Sequence, residues 1–207
     1  MQPTVMGAIG ATMVIGGTLA IIWSRHTEVR RGRPGTLFRY AWSSVIIWFG
    51  ALPIAAAIVD GAHLSSKLRD VAYALVLVAG LSATVWFVGA GIRARRAEFR
   101  ELQREFLDDG RTPPRYFWTP WAIFGWTLGF GAVLVFGGGL AAGSIIGAFL
   151  DGLTADDVDR IAQNLANIIA ASAFALLPIS AGAGLWRWWR VRAELRDQQL
   201  EAVEPAS

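Results

Sequence analysis

Five long stretches without a charged side chain constrain this chain more than any other feature. They cover 4–23, 40–59, 71–92, 117–150 and 164–186. A bilayer core of about 30 Å is crossed by about 20 helical residues, each rising about 1.5 Å. Four of the runs match that length, and 117–150 exceeds it. Lipid offers no partners for backbone amides, so a spanning segment must be a helix or part of a closed barrel, and these runs lack the alternation of barrel strands. The sequence predicts an all-α integral membrane protein with five transmembrane helices. With 54% hydrophobic residues and a mean hydropathy of +0.43, the chain carries too little charge for a soluble domain of its length.

The predicted organisation is a single bundle over 1–200. Its spans lie at about 4–23, 40–59, 71–92, 119–139 and 164–186. Residues 140–150 are either a helical extension on the outer side or a re-entrant piece. EAVEPAS (201–207) reads as a disordered tail. MQPTVMGAIG has no basic residue ahead of the apolar run, and no small-residue cleavage site follows, so it reads as a first span and not a signal peptide.

Charge sets the expected orientation. Segment 24–39 carries Arg25, Arg30, Arg31, Arg33 and Arg39, and segment 93–116 carries seven arginines. Segment 60–70 has no basic excess, and 151–163 sets Asp151, Asp156, Asp157 and Asp159 against Arg160. Basic residues stay cytoplasmic. The N-terminus is therefore expected outside and the C-terminus inside, in an inner (plasma) membrane of bacterial type. The net charge of +3 then reflects topology and anionic headgroups and calls for no nucleic acid.

Two helices are expected to outrun the membrane. RARRAEFRELQREFLDDG (93–110) is free of Pro and Gly until Gly110, so the third helix should continue to about 108 in the cytoplasm. The fifth should begin at Thr154, whose spacing to Asp157 resembles a capping box, and pass Pro178 with a kink. Phe99, Leu102 and Phe106 on one projecting helix could pack on Val191 and Leu195 of the other. Pro120 suits a first helical turn.

Tryptophans gather at the basic helix ends, where Trp118, Trp121, Trp186, Trp188 and Trp189 read as interfacial anchors. The fourth run carries the other periodic signal. Gly139, Gly143 and Gly147 are four apart, and Gly125 and Gly129 form a second small-xxx-small pair, which together predict a helix-packing seam. Gly137–Gly139 cost about 1 kcal/mol each of helix propensity, so a break or bend there is plausible.

Little in the sequence points to chemistry. No Asp, Glu, Lys or Arg falls well inside a span, which argues against a proton relay or an ion-coupled transporter. His26 and His63 fall on opposite sides of the expected membrane. The chain has no cysteine, which excludes thiol chemistry and cysteine-ligated metals. The Asp151–Asp159 cluster is explained by helix capping and topology before cation binding. No P-loop, GxSxG, HExxH or dinucleotide fingerprint is present. No catalytic, cofactor or metal residues are assigned. The expectation is a non-catalytic membrane subunit whose partners are lipids and other membrane subunits or itself. The alternative is a homo-oligomeric channel or small-solute permease with the fourth helix near the pore, although a pore lining usually shows polar rings and only Ser144 offers one.

Overall fold

The computed structural model describes residues 3–26, 28–62, 65–111, 113, 118–149 and 154–203. They form five helices: α1 (Pro3–His26), α2 (Glu28–Gly61), α3 (Ser66–Asp108), α4 (Pro120–Phe149) and α5 (Ala155–Val203). Among the described residues there is no strand. All five helices are long and apolar enough to cross a membrane, as a multi-pass protein requires. With 43 and 49 residues, α3 and α5 extend about 65 and 73 Å, roughly twice a bilayer core.

The helix ends follow local chemistry. Ser65 caps α3, its hydroxyl accepting from the Leu68 amide at 3.4 Å. Thr119 Oγ1 accepts from the Ala122 amide at 3.2 Å, with Pro120 as the first helical residue of α4. Thr154 and Asp157 bond reciprocally: the Asp157 amide donates to Thr154 Oγ1 and the Thr154 amide to Asp157 Oδ2, both at 3.3 Å. At the far end of α3, Gly110 takes a φ of 66°. The Arg111 amide then reaches back to the Phe106 carbonyl at 2.8 Å, and the Gly110 amide to Leu107 at 3.0 Å. This paired closure needs a left-handed residue, which glycine adopts without steric cost.

Consecutive helices pack side by side and antiparallel, so all arginine-rich ends meet at one end of the molecule and the aspartates of α5 lie at the other. α1 lies along α2, where Gly10 and Gly50 face one another, and Gly17 faces Ser43 and Ile47. α5 lies along α4. Between these flanks, α2, α3 and α4 enclose the core. Trp48 and Leu77 are 3% and 1% exposed and cluster with Val45 and Ala141.

Two element bounds differ from expectation, and one is decided between the alternatives. The arginine-rich stretch before 40 is helical from Glu28, with Pro34 inside the helix. That proline forfeits one backbone bond, at the arginine-rich end and beyond the apolar run. α4 runs unbroken through Gly137–Gly139, so 140–149 continue the same helix and do not turn back. Packing offsets the propensity cost: Gly137 is buried against Trp48 and Leu81, and Gly139 lies against Ile169. α5 is continuous through Pro178 and reaches Val203, past the expected start of the tail. Glu201 and Ala202 are good helix formers, and the first breaker is Pro205. Residues 204–207, like His63 and Asp151, lie outside the described residues.

Candidate functional site

The indole of Trp48 sits in the buried core, 3% exposed. It stacks on Phe49, with ring centroids 4.1 Å apart. Gly80 of α3 lies directly against it, and an added Cβ there would fall among the Trp48 side-chain atoms. On the other side, a Cβ on Gly137 would stand 3.0 Å from Trp48 Cη2 and 2.9 Å from Leu81 Cδ2. Two glycines on different helices thus form the walls of one indole pocket. One turn along α2 from Trp48, Ser44 Oγ and Thr84 Oγ1 meet at 2.8 Å. Each hydroxyl also reaches a carbonyl of its own helix, Ala41 at 2.7 Å and Gly80 at 2.9 Å. Two protons serve three contacts, so both hydroxyl donors are committed within the helices. A small cavity of about 10 Å³ beside it is lined by Ala41, Val45, Thr84 and Trp126, among others, and admits at most one water.

The glycines of the fourth run divide among neighbours. An added Cβ on Gly139 would stand 2.6 Å from Ile169 Cγ1, and one on Gly143 3.2 Å from Leu165 Cδ2, both on α5. Gly131 belongs with them, against Leu176 Cδ2 at 2.5 Å, although the four-residue spacing does not single it out. Gly147 instead faces Asp70 of α3, whose Oδ2 would be 2.6 Å from such a Cβ. Gly129 faces Trp42 of α2, 3.2 Å from Cη2, while Gly125 has nothing within 4 Å. Four-residue steps on a helix of 3.6 residues per turn drift by about 40° each, so one stripe meets more than one neighbour.

The arginine-rich end is aromatic. Trp126 lies 4.4 Å from Phe38, 6.2 Å from Trp42 and 6.4 Å from Trp118, centroid to centroid, joining α2 to α4. Trp118, expected as a simple anchor, is a packed member of this group. Trp121 and Trp189 point outward, 81% and 71% exposed. Trp186 and Trp188 carry the guanidinium groups of Arg190 and Arg192 over their rings, at 4.4 and 4.0 Å. Arg187 Nε donates to the Trp118 carbonyl at 3.4 Å and ties α5 to the approach of α4. A groove of about 460 Å³ opens between these helices, lined by Pro120, Trp121, Phe124, Ala181, Gly184, Leu185 and Trp188.

Of the residues expected to join the projecting helices, Leu102 is 41% exposed, and Phe106 lies under the Arg111 guanidinium at 4.5 Å. Val191 is partly buried, Phe99 makes contacts of its own, and the Leu195 side chain lies outside the described residues. Among the described residues no three His, Asp or Glu side chains converge as metal ligands would. The Trp48 pocket is the feature that sequence reasoning missed. Its only signal was a tryptophan deep in an apolar run, with Gly80 and Gly137 deep in two others. The chain matches no protein-family model, no curated protein and no solved structure.

Proposed function

We propose that this chain is a non-catalytic subunit of a larger assembly in an inner (plasma) membrane of bacterial type. The N-terminus lies outside and the C-terminus in the cytoplasm. The charge asymmetry of the two ends supports that orientation.

The observation that carries the assembly reading is the outward face of α5. Asn164, Asn167, Ala171, Ala175, Pro178 and Gly182 recur at helical spacing on that face. The two asparagines, both alanines and Pro178 are exposed, and Gly182 has no side chain within 4 Å. Asn167 is exposed, and its Oδ1 accepts from Gln163 of its own helix at 3.3 Å. A carboxamide turned toward lipid is costly, whereas one turned toward another helix contributes about 0.6 kcal/mol on average. Small residues below it allow that helix to come close. The cytoplasmic extensions of α3 and α5 add a polar docking surface, laced by pairs such as Arg95–Glu98 at 3.2 Å.

The test is purification from native membranes in mild detergent, with mass and composition of the complex measured. Stoichiometric foreign subunits that cross-link from position 167 support the proposal. A monodisperse monomer that binds nothing would overturn it. A homo-oligomer joined through α5 would replace the foreign partner with a second copy and move the channel alternative forward.

A further inference from the structure

The groove at the arginine-rich end joins an apolar slot to a guanidinium stacked on its end residue, Trp188. Pro120, Trp121 and Phe124 of α4 form one wall, and Ala181, Leu185 and Trp188 of α5 the other. Gly184 forms the floor: an added Cβ would stand 3.2 Å from Phe124 Cβ and 3.5 Å from the Pro120 carbonyl. Trp121 and Phe124 hold an edge-to-face contact at 6.1 Å, which fixes the outer wall. At about 460 Å³ the groove is in the size range of small-molecule sites, and its lining carries no charged side chain.

Polarity changes abruptly at the mouth. Positions 181, 184, 185 and 188 share one face of α5, and 192 continues that face one turn further. Arg192 lies over Trp188, the last residue of the slot, at 4.0 Å. Stacking uses the face of a guanidinium and leaves its edge donors for an anion. Arg196 follows one more turn along, and residues 186–196 hold four arginines against one glutamate. Arg190 is on the opposite side of the helix, over Trp186.

We propose that this groove binds one anionic phospholipid of the adjacent leaflet, with an acyl chain between Trp121 and Trp188 and the phosphate at Arg192 and Arg196. Charge complementarity selects this occupant. An apolar helix would leave the guanidinium groups facing nothing, and a free anion would leave the slot unfilled. A phospholipid satisfies both, and basic pockets between transmembrane helices recognise such headgroups. The proposal rests on α4 and α5 crossing a membrane. It is independent of which partner α5 meets.

The test is native mass spectrometry of the full-length, delipidated chain titrated with phosphatidylglycerol, phosphatidylcholine or inorganic phosphate. Carbonate-resistant insertion into liposomes is measured in parallel, so a failure of the membrane reading is seen separately. One phosphatidylglycerol should bind at least tenfold more tightly than phosphatidylcholine. The variant Arg192→Gln with Arg196→Gln should lose that preference, and Arg190→Gln should keep it. Ala181→Phe, which fills the slot, should weaken both lipids. Leu185→Trp does the same from the other side of the α5 face if Ala181→Phe fails to fold. Equal binding of the two phospholipids, an equal loss in Arg190→Gln, or phosphate binding that survives Arg192→Gln with Arg196→Gln would each overturn the proposal.

Discussion

The Trp48 pocket and the α4–α5 face both bring helices together over glycine, but they differ in what fills the space. At Trp48 a rigid bicyclic ring is held between Gly80 and Gly137 on two other helices. At the α4–α5 face, Gly131, Gly139 and Gly143 meet Leu176, Ile169 and Leu165, whose ends can rotate. The first arrangement is closed on all sides. The second buries one side of α5 and leaves Ile168, Phe174, Leu177 and Ile179 outward. In lipid, where apolar surface gains little by leaving the solvent, shape fit and polar pairing decide which contacts are fixed. The difference sets α2–α3–α4 apart as the enclosed core and α5 as a flank with much of its surface uncovered.

The sharpest way to break that contrast is at Trp48 itself. Trp48→Ala should be the most damaging substitution, lowering stability by about 3–5 kcal/mol through the cavity it leaves. Gly80→Ala should cost about 1–3 kcal/mol, because a Cβ there meets the base of the indole and not a flexible tip. The two effects should couple. In a Trp48→Leu background, Gly80→Ala should become nearly neutral, and a double-mutant cycle of denaturation in mixed micelles measures the coupling. Additive losses would mean that Gly80 is needed for some reason other than the ring.

At the α4–α5 face the same substitution should be milder. Gly139→Ala places a methyl against Ile169 Cγ1, and that side chain can give way at a cost of about 1 kcal/mol. Gly139→Leu exceeds what rotation can absorb and should separate α5 from α4 while the other helices keep their contacts. Since the chain has no native cysteine, engineered pairs at 143 and 165 report this directly. Cross-linking should fall in Gly139→Leu, while a pair across α2 and α3 at 44 and 84 stays reactive. Loss of both would show one cooperative unit and remove the distinction drawn above.

Which parts of this were legible in the sequence follows from how far apart the cause and its partner lie. The five runs, the Thr154–Asp157 cap, Pro120 as a first helical residue and Gly110 as a stop are all set by neighbours within four residues. Each could be read from spacing alone. The glycine stripe was also visible, but spacing shows only that a face is bare, and this one turns out to divide between Ile169, Leu165 and Asp70. Trp48 with Gly80 and Gly137 was not legible, because none of the three residues is unusual in its own run. Only the antiparallel register of three helices brings them together. The aromatic group of Phe38, Trp42, Trp118 and Trp126 escaped for the same reason: interfacial anchoring accounts for Trp42 and Trp118 equally well until their rings are seen to join Phe38 and Trp126.

A smaller effect is expected from the hydroxyl pair. Ser44→Ala should cost about 0.6 kcal/mol, the usual yield of a hydrogen bond between transmembrane helices. Thr84→Ser should be milder still, since it keeps the hydroxyl and loses one methyl. A Ser44→Ala loss beyond about 2 kcal/mol in the same micelle denaturation would place the pair, not the indole, at the centre of the core.

The smallest effect is the one that bears most on function. Gly182→Ala and Asn167→Leu alter the outward face of α5, where Gly182 has nothing within 4 Å among the described residues and Asn167 is exposed beside Gln163. In the purified chain both should be neutral to within about 0.5 kcal/mol. Asn167→Leu could even stabilise the isolated protein slightly, because it removes an amide from lipid. In the native membrane the order should reverse. If a further helix lies along Asn164, Asn167, Ala171 and Gly182, Asn167→Leu removes its hydrogen-bond donor, and Gly182→Leu pushes its backbone away. The yield of assembled complex on a native gel should then fall several-fold although the chain itself is as stable as before. That divergence separates a surface kept for a partner from one that merely faces lipid, where neither substitution has a reason to change the size of the species recovered.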